Sequence, residues 1–337
     1  MRVSDRAVAR NYLKHLYKSQ SRYSETLERL ETGKRFTKLS DDVSAGTRVL
    51  RTRMDRYKAE KQLENAQEAN GRLKVTEDNF MAMETVLITI HENRVVKALN
   101  DPTASGREVI AAEIRSMMAE FLQYANATYG KMFNFGGTNA YTGPFTANPD
   151  TGKLMYNGVY VDSITKDPVT GKLMSGSDEV PMDDDIFFDI GLGILMSGPE
   201  VNNATAFKVS YSGPEVLGFG IDDDGVSNNI YNVLYKIQEN LADFDRAEAE
   251  KYNTKLHTLL DRFRINLTDI GVNTKFLDAT EARLKDSIDN YTQKIDDLMG
   301  TNDEEEASRH MMNDYVLKAV LQLGSRVLPL SLMDFVS

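Results

Sequence analysis

Along the first thirty positions apolar residues recur in alternating steps of three and four: Leu13, Leu16, Tyr23, Leu27 and Leu30, with Gln20 at the one core position that breaks the run. Such steps place side chains along one narrow face of an α-helix. Gly33, in Thr32-Gly33-Lys34, supplies the stop. A loop from Phe36 to Asp42 follows, and Ser40, Asp41 and Asp42 are candidate N-caps for the next helix, since a short side-chain oxygen can accept from the free amides of a first turn. In that second helix Leu73, Phe80 and Leu87 lie seven apart, led in by Leu63 and Ala66, with Asn70 at a core position. One polar residue in a seam sets register at some loss of stability. Asn100-Asp101-Pro102 breaks the pattern, and Ser105-Gly106-Arg107-Glu108 opens a further helix that is expected to run to residue 128 or so.

The C-terminal stretch mirrors the first. Val233, Leu234, Ile237 and Leu241 share a helical face after Ile230, and Leu284, Ile288, Tyr291, Ile295 and Leu298 form a second narrow seam. After a break at Gly300-Thr301-Asn302-Asp303, a last helix carries Tyr315, Leu317, Leu321 and Leu328. Between the two helical halves lie 14 of the 22 glycines and 6 of the 8 prolines, from Gly136 to Gly225, which excludes regular helix there. Short runs such as Gly158-Val159-Tyr160-Val161, Ile186-Phe187-Phe188 and Ala206 to Tyr211 predict strands. Pro149-Asp150-Thr151-Gly152-Lys153-Leu154-Met155 is echoed by Pro168-Val169-Thr170-Gly171-Lys172-Leu173-Met174, and both copies predict a turn feeding a strand, hence two similar hairpins.

The two end helices are too thin to stand alone. Each offers roughly five core side chains worth about 1.5 to 3 kcal/mol apiece on full burial, while ordering the backbone costs about 1 to 2 kcal/mol per residue. Pairing them within one subunit leaves a narrow bundle open to water. Both termini are therefore expected to be mobile in a dilute monomer and to order against copies of the same chain.

Charge narrows the partners. Fifty-one acidic residues against 40 basic ones give a net charge of -11, unsuited to phosphate backbones. The one basic window, Arg48, Arg51, Arg53, Arg56, Lys58 and Lys61, is answered by Asp55, Glu60 and Glu64 and reads as a solvated or subunit-facing helix. No nucleic-acid partner is expected. The absence of cysteine removes disulfides, thiolate metal sites and cysteine nucleophiles. Charge at Arg2, Asp5 and Arg6 is unlike a Sec signal, and no apolar window reaches membrane-spanning length, so neither signal nor span is expected.

Chemistry has little to stand on. His15, His91, His257 and His310 have no histidine at helical spacing, so no zinc site follows. Aligning Gly225 of Asp222-Asp223-Asp224-Gly225 with the glycine of an EF-hand puts Gly220 and Tyr231 where Asp and Glu are needed. Gly152-Lys153 and Gly171-Lys172 lack the remainder of a phosphate-binding loop, and no Gly-x-Ser-x-Gly elbow occurs. The expectation is a protein without catalytic residues, metal or cofactor.

Leu30-Glu31-Thr32-Gly33-Lys34-Arg35 followed by Ser40-Asp41-Asp42 resembles the N-terminal segment of the flagellin superfamily. Asn126-Ala127 leading to Phe135-Gly136-Gly137-Thr138 and Pro144-Phe145 resembles the hook-associated protein 3, or FlgL, type within it. So does the terminus Leu328-Pro329-Leu330-Ser331-Leu332-Met333-Asp334-Phe335. The likeness covers roughly residues 1–145 and 230–337, and departs from the family at Val43, where proline or alanine is usual, and at the closing Val336-Ser337. The resemblance implies a mainly α fold with an inserted β domain: a terminal coiled-coil domain (1–42 with 301–337), a helical rod domain (43–137 with 229–300) and a small outer β domain (138–228). It further implies a structural subunit of the extracellular bacterial flagellum, a homo-oligomeric ring at the hook-filament junction between the first junction protein and flagellin. Export would use the flagellar type III apparatus, with a chaperone gripping the C-terminal region. Two other readings stay open, a short flagellin that forms the filament itself, and an adhesive or carbohydrate-binding module on a helical stalk.

Overall fold

The computed structural model describes residues 2–327 apart from 101–102, 140, 198–199, 202–205 and 244. Leu328, Leu330, Ser331, Leu332, Met333, Asp334 and Phe335 of the closing signature lie outside the described residues. The α-helices are Arg2–Thr32 (α1), Val43–Ile88 (α2), Val96–Asn100 (α3), Ala104–Ala125 (α4), Gly213–Leu217 (α5), Ile230–Asp243 (α6), Arg246–Met299 (α7) and Asp303–Val327 (α8). The fold is mainly α, with long helices at both ends of the described chain and a small β-rich region between the helical halves. It divides into two compact units, residues up to 60 with those from 286 onward, and residues 61–285.

In the first unit the two helix breaks read from the sequence are tied to each other. Gly33 turns with a φ of 63°, and Lys34 forms an isolated antiparallel bridge with Gly300. Arg35 N donates to Met299 O at 2.7 Å, and Thr301 N to Gly33 O at 3.1 Å. Of the three N-cap candidates Asp42 takes the role, its Oδ1 accepting from Ala45 N at 2.9 Å, while Arg35 pairs with its other oxygen at 3.1 Å. Asp41 closes the preceding loop by accepting from Lys38 N at 3.3 Å, and Ser40 donates to Asp41 at the same distance. A small core of Phe36, Ala45, Val49, Ile295 and Met299 seals this corner.

The second unit is a helical bundle with one continuous core. Leu73, Phe80 and Leu87 of α2 are fully buried. Phe80 stacks on Phe263 at 4.8 Å and meets Phe135 edge-on at 5.2 Å. Asn70 is buried as a seam residue should be, and its amide donates to Asp278 at 2.8 Å and Glu281 at 2.7 Å on α7, which gives the polar seam position a defined partner. After Ile88 the helix widens into a π-helical stretch, Thr89–Val95, ahead of the break expected at Asn100. The next N-cap falls on Thr103, whose hydroxyl accepts from Gly106 N at 3.2 Å, two residues before the capping pattern expected at Ser105. Helix α4 ends at Ala125, with Asn126 as its C-cap, short of residue 128.

The strands are short and entirely antiparallel: Thr128–Tyr129 (β1), Met132–Phe133 (β2), Phe145–Ala147 (β3), Leu154–Tyr156 (β4), Val159–Tyr160 (β5), Ile164–Lys166 (β6), Leu173–Ser175 (β7), Asp178–Glu179 (β8), Phe187–Phe188 (β9), Met196–Ser197 (β10), Glu200–Val201 (β11) and Phe207–Lys208 (β12). The sequence echo is a structural one. β3-β4-β5 and β6-β7-β8 are matching three-stranded meanders. In the first, Gly152 N donates to Asn148 O at 2.8 Å with φ 68°; in the second, Gly171 N donates to Asp167 O at 2.9 Å with φ 71°. The side chains of Phe145, Leu154, Tyr156, Ile164 and Leu173 belong to the same apolar cluster as Ile114, Phe121 and Leu234 of the helices.

Asn126, Phe135, Gly136 and Gly137 form the knot that holds this β region on α4. The Asn126 amide donates to Phe145 O at 2.8 Å and its Oδ1 accepts from Phe145 N at 2.9 Å, so one side chain imitates a strand edge. Gly136 bridges to Ser212. Gly137 has φ 60°, and a Cβ there would sit 2.3 Å from Met182 O. Directly after Met182, Asp183 accepts from Tyr156 Oη at 2.7 Å and from Ser212 Oγ at 3.0 Å. Burial raises the Asp183 carboxyl to about 6, against the pull of those two donors.

Two outcomes follow for the knot. Gly137→Ala costs about 1 to 3 kcal/mol in urea unfolding, because both the left-handed backbone and the Met182 carbonyl oppose a Cβ; an unchanged midpoint would contradict this turn. For Asp183, the folded carboxyl holds its proton to about pH 6 while the unfolded one releases it near the ordinary carboxylate value. Its stabilising contribution is therefore complete in acid and fades as pH rises through about 6. A thermal-melt series should show that decline, and Asp183→Asn should flatten it; a variant with the parent's pH slope would refute the assignment.

Candidate assembly surface

Helices α1 and α8 lie antiparallel. Thr26 Oγ1 is 3.2 Å from His310 Nδ1, the Tyr23 and His310 rings are 4.7 Å apart, and the Asn313 amide donates to Arg22 O and Thr26 Oγ1, each at 3.4 Å. Arg29 approaches Glu306 at 3.6 Å, and Gly324 lies under Tyr12, whose hydroxyl would be 2.0 Å from an added Cβ. The facing positions are Tyr12, Leu16, Ser19, Tyr23, Thr26 and Leu30 on α1 and Glu306, His310, Asn313, Leu317, Val320 and Gly324 on α8, all buried or half-buried. Each set steps by four and three, the spacing of a coiled-coil seam.

This seam differs from the expected one. Leu16, Tyr23, Leu30 and Leu317 occupy it, whereas Leu13 and Leu321 are exposed, Leu27 sits half-buried at its edge and Tyr315 points outward, 75% exposed. The cause is an ambiguity in the repeat. Leu16, Tyr23 and Leu30 belong to two interleaved heptads, one completed by Leu13, Gln20 and Leu27, the other by Tyr12, Ser19 and Thr26. The second set faces α8, where Thr26 finds His310 and Asn313 as hydrogen-bond partners.

The result is a helix pair whose seam mixes polar with apolar residues while large apolar side chains remain outside it. Inside lie Ser19, Thr26, His310, Asn313 and a Glu306 carboxylate only 3% exposed, with the Ser19 hydroxyl and one Glu306 oxygen lacking a hydrogen-bond partner. Such groups add little to stability when buried. Outside lie Met311, Met312, Tyr315, Val316, Leu321 and Leu323 on α8, and Val8, Leu13 and Tyr17 on α1. Helix α2 repeats the theme: Ala45, Val49, Thr52 and Ala59 are buried, while Val43, Leu50, Met54 and Tyr57 on the opposite face are exposed. Large apolar side chains exposed repeatedly along three helices make this end of the molecule the candidate interaction site. Periodicity points to these apolar residues but does not say which face a single chain covers, and the polar seam residues Thr26, His310 and Asn313 carry no apolar signal at all.

His91 and His257, remote in sequence, come within 5.4 Å as rings, and His91 bonds Asn253 at 2.8 Å. No group of three or more His, Cys, Asp or Glu among the described residues is arranged to hold a metal ion. No helix among them is long and apolar enough to cross a membrane.

Residues 3–140 match the family model of the bacterial flagellin N-terminal helical region. No curated protein matches the sequence. Among solved structures the fold is similar to that of a Vibrio parahaemolyticus protein provisionally assigned as flagellar hook-associated, at 15% identity over 77% of this chain and 100% of that one, with a TM-score of 0.59. It is similar also to the flagellar junction protein FlgL of Legionella pneumophila (13% identity, 75% and 99% covered, TM-score 0.52). Bacillus cereus FlgL gives 16% identity, 73% and 98% covered, and a TM-score of 0.51. The first 140 residues thus resemble a flagellin N-terminal helical region, and the chain shares its fold with these solved structures.

Proposed function

We propose that this chain is a structural subunit of the bacterial flagellum that forms the hook-filament junction, as a ring of identical copies adapting one polymer to the next. The large apolar side chains left exposed around the mixed seam of α1 and α8 carry the reading. A pair that buries serine, threonine, asparagine and glutamate and exposes methionine, leucine, valine and tyrosine is poorly stabilised alone and well suited to burial among neighbours. Its mechanism is mechanical. The terminal coiled coil (1–42 with 301–337) packs into a tube, the rod (43–137 with 229–300) makes lateral and axial contacts, and the β region (138–228) faces outward. The partners are the first hook-filament junction protein, flagellin, and an export chaperone holding the C-terminal region.

The match to a flagellin helical region favours one second reading, a short flagellin that polymerises into the filament itself. Deletion in a flagellated host separates them. A junction subunit leaves a hook that secretes unpolymerised flagellin, whereas a normal filament after deletion would exclude that role, and long filaments grown from the purified chain alone would favour flagellin. In the dilute monomer, amide exchange in α1 and α8 should be orders of magnitude faster than in α4 and α6, since the latter carry the fully buried Ile114, Phe121, Val233 and Leu234. Equal protection would remove the argument from unfinished ends.

A further inference from the structure

Helices α2 and α7 run antiparallel, and one flank of their contact is a ladder of residues seven apart on each helix. Asn70, Glu77, Glu84 and His91, the last in the π-helical stretch that continues α2, face Asp278, Gly271, Arg264 and His257 of α7. Three of these rungs set unlike groups together. The Asn70 amide donates to Asp278 at 2.8 Å, Glu77 lies 3.3 Å from where a Cβ on Gly271 would stand, and Arg264 Nε donates to Glu84 at 2.7 Å. The fourth rung sets two imidazoles together, with ring centres 5.4 Å apart and planes inclined by 59°. Like groups leave it without the complement that the other rungs have.

We propose that His91 and His257 bind a divalent first-row transition ion, zinc, nickel or copper, through Nε2 of each ring, and that the ion clamps the π-helical stretch Thr89–Val95 to α7. Two imidazoles bound at about 2.05 Å to one tetrahedral ion have ring centres about 5 Å apart, so the observed separation needs little adjustment. The groups that orient the rings are already in place. Asn253 Oδ1 is 2.8 Å from His91 Nδ1, and since an amide oxygen only accepts, that nitrogen carries the proton and Nε2 keeps its lone pair. Asp261 Oδ2 lies 3.5 Å from His257 Nδ1 and directs the second ring in the same sense. An acceptor behind a ligating histidine fixes both ring and tautomer. The His257 side chain is 58% exposed, so an ion can enter from solvent and the ring has room to turn onto it. Among the described residues no third histidine, cysteine or carboxylate completes the group, so water fills the remaining positions. Imidazole nitrogen selects zinc, nickel or copper over magnesium and calcium, which take oxygen ligands. A π-helical stretch is an irregularity frequent at functional sites. Spacing along one helix gives no sign of this pair, because it forms across two.

The full chain, freed of metal with a chelator and dialysed, is titrated with zinc chloride and with nickel chloride by calorimetry, beside magnesium chloride as the control. One zinc or nickel ion per chain is expected, with a melting temperature raised by about 3 to 10 °C once free ion exceeds the dissociation constant about a hundredfold. His91→Gln and His257→Gln should each weaken binding at least tenfold and Asn253→Ala about tenfold, whereas His15→Gln, on the exposed side of α1, should leave it unchanged. With only four histidines in the chain, the unaltered protein allows a second measurement. Carbethoxylation by diethyl pyrocarbonate, mapped by peptide mass spectrometry, should fall sharply at His91 and His257 when zinc is present and hold steady at His15. No binding of either ion, or binding that persists in both glutamine variants, overturns the site. Where a variant loses its far-ultraviolet helical signal the carbethoxylation pattern decides, and His91 and His257 left unprotected by zinc overturn the site as well.

Discussion

A partly polar seam between α1 and α8, with large apolar side chains left outside it, is the constraint on which the rest of this molecule depends. Most helix pairs hide their leucines and wet their asparagines. Here Thr26, His310, Asn313 and Glu306 face inward, and Met311, Met312, Tyr315 and Leu323 face out. Burying a threonine or asparagine with a partner is close to neutral, and burying a carboxylate is close to neutral at best. The pair therefore gains orientation from its own contacts and is left to find most of its stabilisation elsewhere. Hydrogen bonds between specific side chains set the register; burial against neighbours is what would consolidate it.

Residues 61–285 are built on the opposite plan. Phe80, Phe121, Phe135, Phe145, Phe263 and Tyr156 are all fully buried in one cluster that includes both helices and meanders, and several polar groups around it are paired. Asn126 mimics a strand edge, Asn70 reaches two carboxylates, and Asp183 receives two hydroxyl donors. A unit of that kind has a core of its own. One chain thus joins a body with a large apolar core to an end region whose core is small.

Much of this was legible in the residues. Heptad spacing located α1, the inner seam of α2 and the late part of α7, glycine and proline density located the β region, and the repeated Pro-x-Thr-Gly-Lys-Leu-Met segments announced two matching turns. Asn70 in the seam and Gly33 at the helix stop behaved as their chemistry requires. What could not be read was the choice of face. Leu16, Tyr23 and Leu30 satisfy two heptads at once, and the choice between Leu13 with Leu27 and Ser19 with Thr26 depends on what α8 presents some 280 residues later. Likewise Asp42, Asp41 and Ser40 are equivalent as sequence, and only the path of the loop makes the first a cap and the second a latch. The proximity of His91 to His257 and the Asp183 cluster arise from packing between distant segments, for which no local pattern exists.

The bridge between Lys34 and Gly300 bears on how force passes through the chain. Both strands of the polypeptide leave the end helices at one level and are pinned there by backbone bonds, Arg35 N to Met299 O and Thr301 N to Gly33 O. A tug along α1 and α8 reaches these bonds together and loads them side by side, so neither can be peeled open in turn.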